Sequence, residues 1–247
     1  MEVHAHSHTP RKKWTHYFWE FLMLFLAVFC GFLAEYKLEQ TIERHKEKEY
    51  MQTMISDLKE DIVSLVRLVK DYKQKGLELD SLVYLLKTSD NKEQGSELYY
   101  YGRKANRLNF FNSIDRTIQQ MKNSGGFRLI KNESAANSIL RYYSQMDGVY
   151  LLQSNFNNQS IEYRINSMPL FDPLVLETMV NDNTHGEIIK PAGSPVLLTY
   201  EKSSLLKLIS NLHYMKGSRR VLQNYFTTIK DAAEKLIELL KKEYHLK

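Results

Sequence analysis

A single cysteine, Cys30, stands among 247 residues. One thiol cannot close an internal disulfide, so cysteine usage carries no information about redox compartment. Proline is also scarce, with five residues at positions 10, 169, 173, 191 and 195. Because proline removes a backbone donor and clashes inside a helix, residues 11–168 and 196–247 are free to be helical, and 169–195 is marked as a long connection. Neither sign of charge dominates, since 34 Lys and Arg against 29 Asp and Glu leave a formal +5 with both signs interspersed. A nucleic-acid surface gathers its cations into a stripe or patch, whereas interspersed charge is the pattern of solvated helix faces; no nucleic-acid partner is expected. Phosphate-cradling glycine loops, serine nucleophile elbows and paired-carboxylate motifs are lacking. These absences point to a non-enzymatic protein with no cofactor. What is abundant is apolar content, 43% of the chain, enough for a core at this length.

Part of that content is concentrated in HYFWEFLMLFLAVFCGFLAEY, residues 16–36. From Phe21 to Ala34 no charge occurs over 14 residues. Trp14, Tyr17 and Trp19 cluster at one end and Tyr36 at the other, as amphipathic rings do at two membrane interfaces. As a helix, Tyr17 to Tyr36 covers about 28 Å, close to the thickness of a hydrocarbon core. A cleaved signal would need small residues before the cut, but Phe32 lies at the critical position before Ala34, and Phe29 is an unsuitable neighbour for lipidation of Cys30. The segment is therefore read as an uncleaved transmembrane helix over 17–36, with membrane lipid as a partner, behind a flexible His-rich basic tail over 1–16.

Glu20 lies one turn inside the tryptophan belt, within reach of the headgroups. It shares a helical face with Ala27, Gly31 and Ala34, and Cys30 lies beside them. Small residues at this spacing let two helices approach closely, and a polar side chain on the same face can bond across the pair. Glu20, Ala27, Cys30, Gly31 and Ala34 are thus the candidate contact with a second copy or another membrane protein. For orientation, Arg11, Lys12 and Lys13 precede the span, while Lys37, Arg44, Lys46 and Lys48 follow it, so the positive-inside count nearly ties. A short basic tail ahead of one span favours a cytoplasmic N-terminus with the bulk outside. His4, His6 and His8, with His16 nearby, have the chemistry of metal ligands, but a terminal tail pays the full entropy of ordering, and no metal site is assigned.

Beyond the span a heptad seam runs through Met51, Ile55, Leu58, Ile62, Leu65, Val69, Tyr72, Gly76, Leu79, Val83 and Leu86, with Gly76 its one non-apolar position. It predicts a helix over 37–87, with the membrane helix running on into it. TSDNKEQGS, 88–96, reads as turn and solvent chemistry. Leu108, Phe111, Ile114, Ile118 and Met121 predict a helix over 105–122. Asn132 is a natural N-cap for a helix over 133–167, and a short helix is placed near 174–180. Ser194 and Pro195 are read as the start of a last helix, 195–246. Its seam is Leu205, Leu208, Leu212, Met215, Arg219, Leu222, Phe226, Ile229, Ala233, Leu236 and Leu240, with Arg219 the polar intrusion. Since each stripe must be buried against another, the fold class is all-α, a transmembrane helix continuing into an elongated antiparallel, coiled-coil-like bundle over 37–247. If the helices alternate direction, LLKKEYHLK returns toward the membrane, where its lysines would meet anionic headgroups. Whether the two seams meet within one chain or across two is left open. Asp57, Glu60 and Asp61 alternate with lysines and read as a solvated face. Tyr99 to Tyr101, Tyr142 and Tyr143 read as aromatics that pack the bundle or its cap.

HAHSHTPRKKW leading into YFWEFLMLFLAVFCGFLAE, with GGFRLIKN later preceding ILRYYSQ, resembles a family of bacterial single-pass inner-membrane proteins of unassigned activity. That family carries a His-bearing basic tail and a span ending Gly-Phe-x-Ala-Glu, matched here by Gly31, Phe32, Ala34 and Glu35. The resemblance covers the first fifty residues well and 125–145 loosely. It implies a bacterial source and a membrane location, and it carries over no functional residue. Two functions fit this organisation. One is a scaffold in which the anchor and the Met51–Leu86 seam mediate oligomerisation and the bundle docks partners. The other is an extracytoplasmic sensor whose ligand site is shaped by the proline-rich connection and the tyrosines. With no output domain expected after Lys247, a sensor would signal through a partner.

Overall fold

The computed structural model describes residues 14–88, 92–181 and 186–246. The His4, His6 and His8 tail, and the parts of the expected turn and connection at 89–91 and 182–185, lie outside the described residues. The described chain is all-α, apart from one antiparallel ladder pairing β1 (Val180–Asn181) with β2 (Glu187–Ile188). Two compact units are resolved, the first ending at Tyr50 and the second beginning at Met51. One helix, α1, runs from Trp14 to Lys87.

The first unit is the leading part of α1. The residues of its apolar stretch are exposed, apart from a partly covered Leu22.

In the second unit, the remaining helices are α2 (Gly95–Lys104), α3 (Arg116–Asn123), α4 (Glu133–Ser144), α5 (Met146–Ser167), α6 (Pro173–Glu177) and α7 (Lys202–Tyr244). The two heptad seams are the core. Met51, Leu58, Leu65, Tyr72 and Leu79 on α1 and Leu208, Leu212, Met215, Leu222, Phe226, Ile229 and Leu240 on α7 have no exposed surface. Each such side chain stabilises by about 1.5–3 kcal/mol when buried. Both seams close within one chain, which answers the question the periodicity left open. Gly76 and Arg219, the single interruptions of the two seams, face each other: a Cβ at Gly76 would stand 2.8 Å from the Arg219 Cζ. The guanidinium occupies that space, and its Nη1 donates to the Tyr72 carbonyl at 2.6 Å and to Gln223 Oε1 at 2.7 Å. Tyr72 meets Phe226 edge-on, ring centroids 5.0 Å apart.

Directions follow from the contacts. Along α7, Tyr225 meets Gly148, Asn211 bonds Gln159, and Glu243 bonds Asn132, so α4 and α5 run antiparallel to α7. Asp80 pairs with Lys216 and Tyr72 meets Phe226, so α1 is antiparallel to α7 as well. Consequently α1 and α4–α5 run parallel, and strict alternation is replaced by a return path of short helical pieces joined by irregular backbone.

That return path corrects the helix expected over 105–122. Helix α2 occupies part of the region read as solvent turn and ends at Lys104; residues 107–115 are irregular, and only 116–123 are helical. Phe111 is buried without a helix, and Ile118 within the short α3, because side chains of other elements take the backbone hydrogen bonds of the irregular passage. Gln153 accepts from Phe111 N at 2.6 Å and donates to its carbonyl at 3.0 Å. Asp61 Oδ1 accepts from Ile114 N at 2.7 Å, and Asp57 Oδ2 from Thr117 N at 2.9 Å.

Three further boundaries depart from the sequence reading. The helix over 133–167 is interrupted at Gln145, where Ser144 Oγ and Gln145 Nε2 both donate to the Arg141 carbonyl and the Gln145 N–H turns to Tyr142. Such side-chain competition breaks the regular ladder. Helix α7 starts at Lys202 instead of residue 195, because 191–198 is spent on other elements: Gly95 N donates to Ser194 Oγ, Ser96 Oγ to the Pro191 carbonyl and Tyr99 Oη to the Val196 carbonyl. Helix α6 covers Pro173–Glu177, with Asp172 accepting from Leu174 N as its cap. Asn132 caps α4 as expected, accepting from Ala135 N at 2.9 Å.

Candidate membrane anchor and polar cleft

The leading part of α1 carries a window long and apolar enough to cross a membrane, and none of that window is buried. At 3.6 residues per turn, Trp14, Phe18, Phe21, Phe25, Phe29, Phe32 and Tyr36 fall along one side. Successive rings of this ridge stack, Phe25 on Phe29 at 5.9 Å and 8° and Phe21 on Phe25 at 6.2 Å. Glu20, Ala27, Gly31 and Ala34 lie on the opposite side with Cys30 at its edge, all exposed. His16 Nε2 stands 3.2 Å from Glu20 Oε1 on that face, and nothing lies within 4 Å of a Cβ built on Gly31. The helix thus presents a bulky aromatic side and a small-residue side carrying its carboxylate. The aromatic regularity was open to a reading of the sequence, which registered the rings only as belts at the ends.

The second unit holds its polar chemistry on the flanks of the α1 seam. Asp57 and Asp61 are buried, which corrects their reading as a solvated face. Their lysine neighbours do point outward, but these carboxylates turn inward to hold the return path. Asp57 accepts from Thr117 Oγ1 at 2.6 Å and from Arg116 Nη2 at 2.7 Å. Asp61 accepts from Tyr142 Oη at 2.6 Å. Burial pushes the Asp61 carboxyl up to about 6; bonds from Tyr142 and Ile114 oppose the rise, and the charges of Asp57 and Glu60 add to it. Tyr142, itself buried, is raised by burial and by the Asp61 charge. Tyr99 and Tyr142 are buried, so these tyrosines pack the fold, as their placement at helix ends predicts.

Further along α1 a cleft of about 670 Å³ opens between Asp71, Gln74, Lys75 and Glu78 on one side and the start of the return path on the other. Lys104, Asn106, Arg107 and Asn109 form that second wall. Lys75 and Glu78 are nine-tenths buried. The Lys75 ammonium stands 2.6 Å from Glu78 Oε2 and donates to the Lys104 carbonyl at 2.8 Å, and Lys104 pairs with Glu78 Oε1. Burial holds Lys75 below its ordinary value against the bond and charge of Glu78. Burial would raise Glu78, but the bonds and charges of Lys104 and Lys75 outweigh it and hold the carboxyl low. Burial likewise lowers Lys104, and its bond to Glu78 more than restores it.

No family model, curated protein or solved structure matches this chain.

The site must therefore be judged on its own chemistry. Among the described residues no three His, Cys, Asp or Glu side chains gather as a metal-binding group. In the cleft Glu78 is committed to two lysines, which removes it as a free general base. The proline-rich connection bonds α2: Ser194 Oγ accepts from Gly95 N, and the Pro191 and Val196 carbonyls accept from the Ser96 and Tyr99 hydroxyls. The cleft residues escaped the sequence reading because Lys75 and Glu78 flank Tyr72 and Leu79 at positions that, in an isolated helix, look like solvated charge.

Proposed function

We propose that this chain is a non-enzymatic single-pass membrane protein of the bacterial inner membrane whose helical unit works through protein contacts, as a scaffold or in envelope assembly. The observation that carries the reading is the uncovered apolar helix Trp14–Tyr36, because such a surface in water is a liability and in lipid is matched to its solvent. The seams of α1 and α7 bury each other within the chain, so self-association falls to the anchor and not to the Met51–Leu86 seam. The side carrying Glu20, Ala27, Gly31 and Ala34 is the contact with a second copy or another membrane protein, and the aromatic ridge faces lipid. Close approach through small residues suits such a pair. The N-terminus is cytoplasmic and the helical unit outside, a reading supported by the basic Arg11, Lys12 and Lys13 on a short tail ahead of the span.

Two experiments test this. Cells carrying Cys30→Ser with a cysteine appended after Lys247 are treated with a membrane-impermeant maleimide. Labelling of intact cells with a permeable outer membrane supports the orientation, and labelling only after lysis reverses it. Oxidative crosslinking through Cys30 in membranes is expected to fall when Gly31→Leu fills the small face; unchanged crosslinking removes the pairing. The cleft between α1 and residues 104–109 favours a second reading, an extracytoplasmic sensor that signals through a partner.

A further inference from the structure

The cleft beside Lys75 supplies the sensor reading with a ligand class, and it stands or falls separately from membrane orientation and pairing. We infer that the cleft between α1 and residues 104–109 binds a small anion bearing a carboxylate or phosphate group. The argument is one of charge and donor balance. Lys75, Lys104 and Arg107 bring three cations to its walls, and Asp71 and Glu78 bring two carboxylates. Glu78 is consumed by the two lysines, one at each oxygen, and Asp71 Oδ2 is approached by Asn109 Nδ2 at 3.4 Å. Arg107 uses Nη1 on the Gly186 carbonyl at 2.9 Å; among the described residues no carboxylate pairs with it and no other acceptor meets its donor fork. Gln74 and Asn106 add amides with no protein partner among the described residues. With Asp71 counted, the three cations and two carboxylates leave one net positive charge on the walls, and around Arg107 the missing element is a group of acceptor oxygens. Burial of Lys75 and Glu78 lowers the effective dielectric around them, so the residual positive charge acts more strongly than on an open surface. The volume, about 670 Å³, is in the range of small-molecule sites. Leu108 is the one apolar side chain on the walls, which argues against a greasy ligand.

The test is calorimetric titration of the full chain in nanodiscs of zwitterionic lipid, with inorganic phosphate and with succinate at matched ionic strength. Saturable one-to-one binding of either anion is expected, at least tenfold weaker in Arg107→Gln, whose side chain is exposed and whose loss leaves the thermal unfolding midpoint in place. Lys104→Gln is the second variant and is expected to weaken binding similarly, while Lys235→Gln, on a distant surface of α7, leaves it unchanged. Repeating the titration in nanodiscs containing an anionic phospholipid separates the sources: competition assigns a lipid headgroup to the cleft, and unchanged affinity assigns a soluble anion. No saturable heat with either anion, or equal affinity in Arg107→Gln, overturns the inference.

Discussion

Asp61→Asn isolates the energetic role of the carboxylates that hold the return path. In the unfolded chain this carboxyl titrates near 3.8, and in the folded chain near 6. Between those values the folded state binds more protons than the unfolded state, so stability from this group rises as pH falls from about 7 to about 4. The separation corresponds to about 3 kcal/mol, at about 1.4 kcal/mol per tenfold change in proton affinity. Asparagine fits the same position, its Oδ1 accepting from Ile114 N and its Nδ2 donating to Tyr142 Oη, with no charge at any pH. The variant is therefore expected to match or exceed the native chain at pH 7.5 and to lack this increment at pH 4.5. Glu78, whose carboxyl is held low, contributes with the opposite sign, losing stability as pH falls, but it does so in both proteins and cancels in the comparison. Urea unfolding followed by helical circular dichroism, in uncharged detergent at several pH values, gives the difference directly. Parallel stability curves for the two proteins across this range would refute the assignment.

Gly76→Ala is expected to cost about 1–3 kcal/mol, as overpacking does, because its Cβ meets the Arg219 guanidinium; Arg219→Met in the same background is expected to recover most of the loss, since a buried ion exchanged for an apolar side chain is often neutral or stabilising. A double-mutant cycle on denaturation midpoints checks the coupling. Gly95→Ala places a Cβ 2.0 Å from the Pro195 carbonyl oxygen, a clash with backbone, and is expected to lower the thermal midpoint more than Gly217→Ala, where nothing lies within 4 Å. Asn132→Ala removes the α4 cap and is expected to destabilise by about 1 kcal/mol, measured in the same unfolding assay.

The long amphipathic helices were legible because a seam of eleven positions leaves little alternative to a helix that buries one side. Even the two flaws carried information, since Gly76 and Arg219 proved to be complementary. The irregular passage around Phe111 was not legible: its apolar residues recur at helical spacing, and only the approach of Gln153, Asp57 and Asp61 diverts its backbone from a helix. The start of α7 was misjudged for a related reason. Ser194 and Pro195 suit a helix start locally, but Ser194 Oγ is claimed by Gly95 N, and the Pro191 and Val196 carbonyls on either side by Ser96 and Tyr99, about a hundred residues earlier in the chain. The apolar helix Trp14–Tyr36 was legible from composition and ring placement, whereas the buried charge beside Tyr72 could be found only once the return path was seen lying across it.

The manner in which Phe111, Ile114 and Thr117 are bonded bears on the order of assembly. Their amides rest on side chains from α1 and α5; Thr117 opens the short α3, and the irregular passage before it has no ladder of its own from which a nucleus can grow. It must be the last part of the second unit to lock and the first to loosen. In a hydrogen-exchange experiment these three amides would lose protection as a group, at lower denaturant than the seams of α1 and α7.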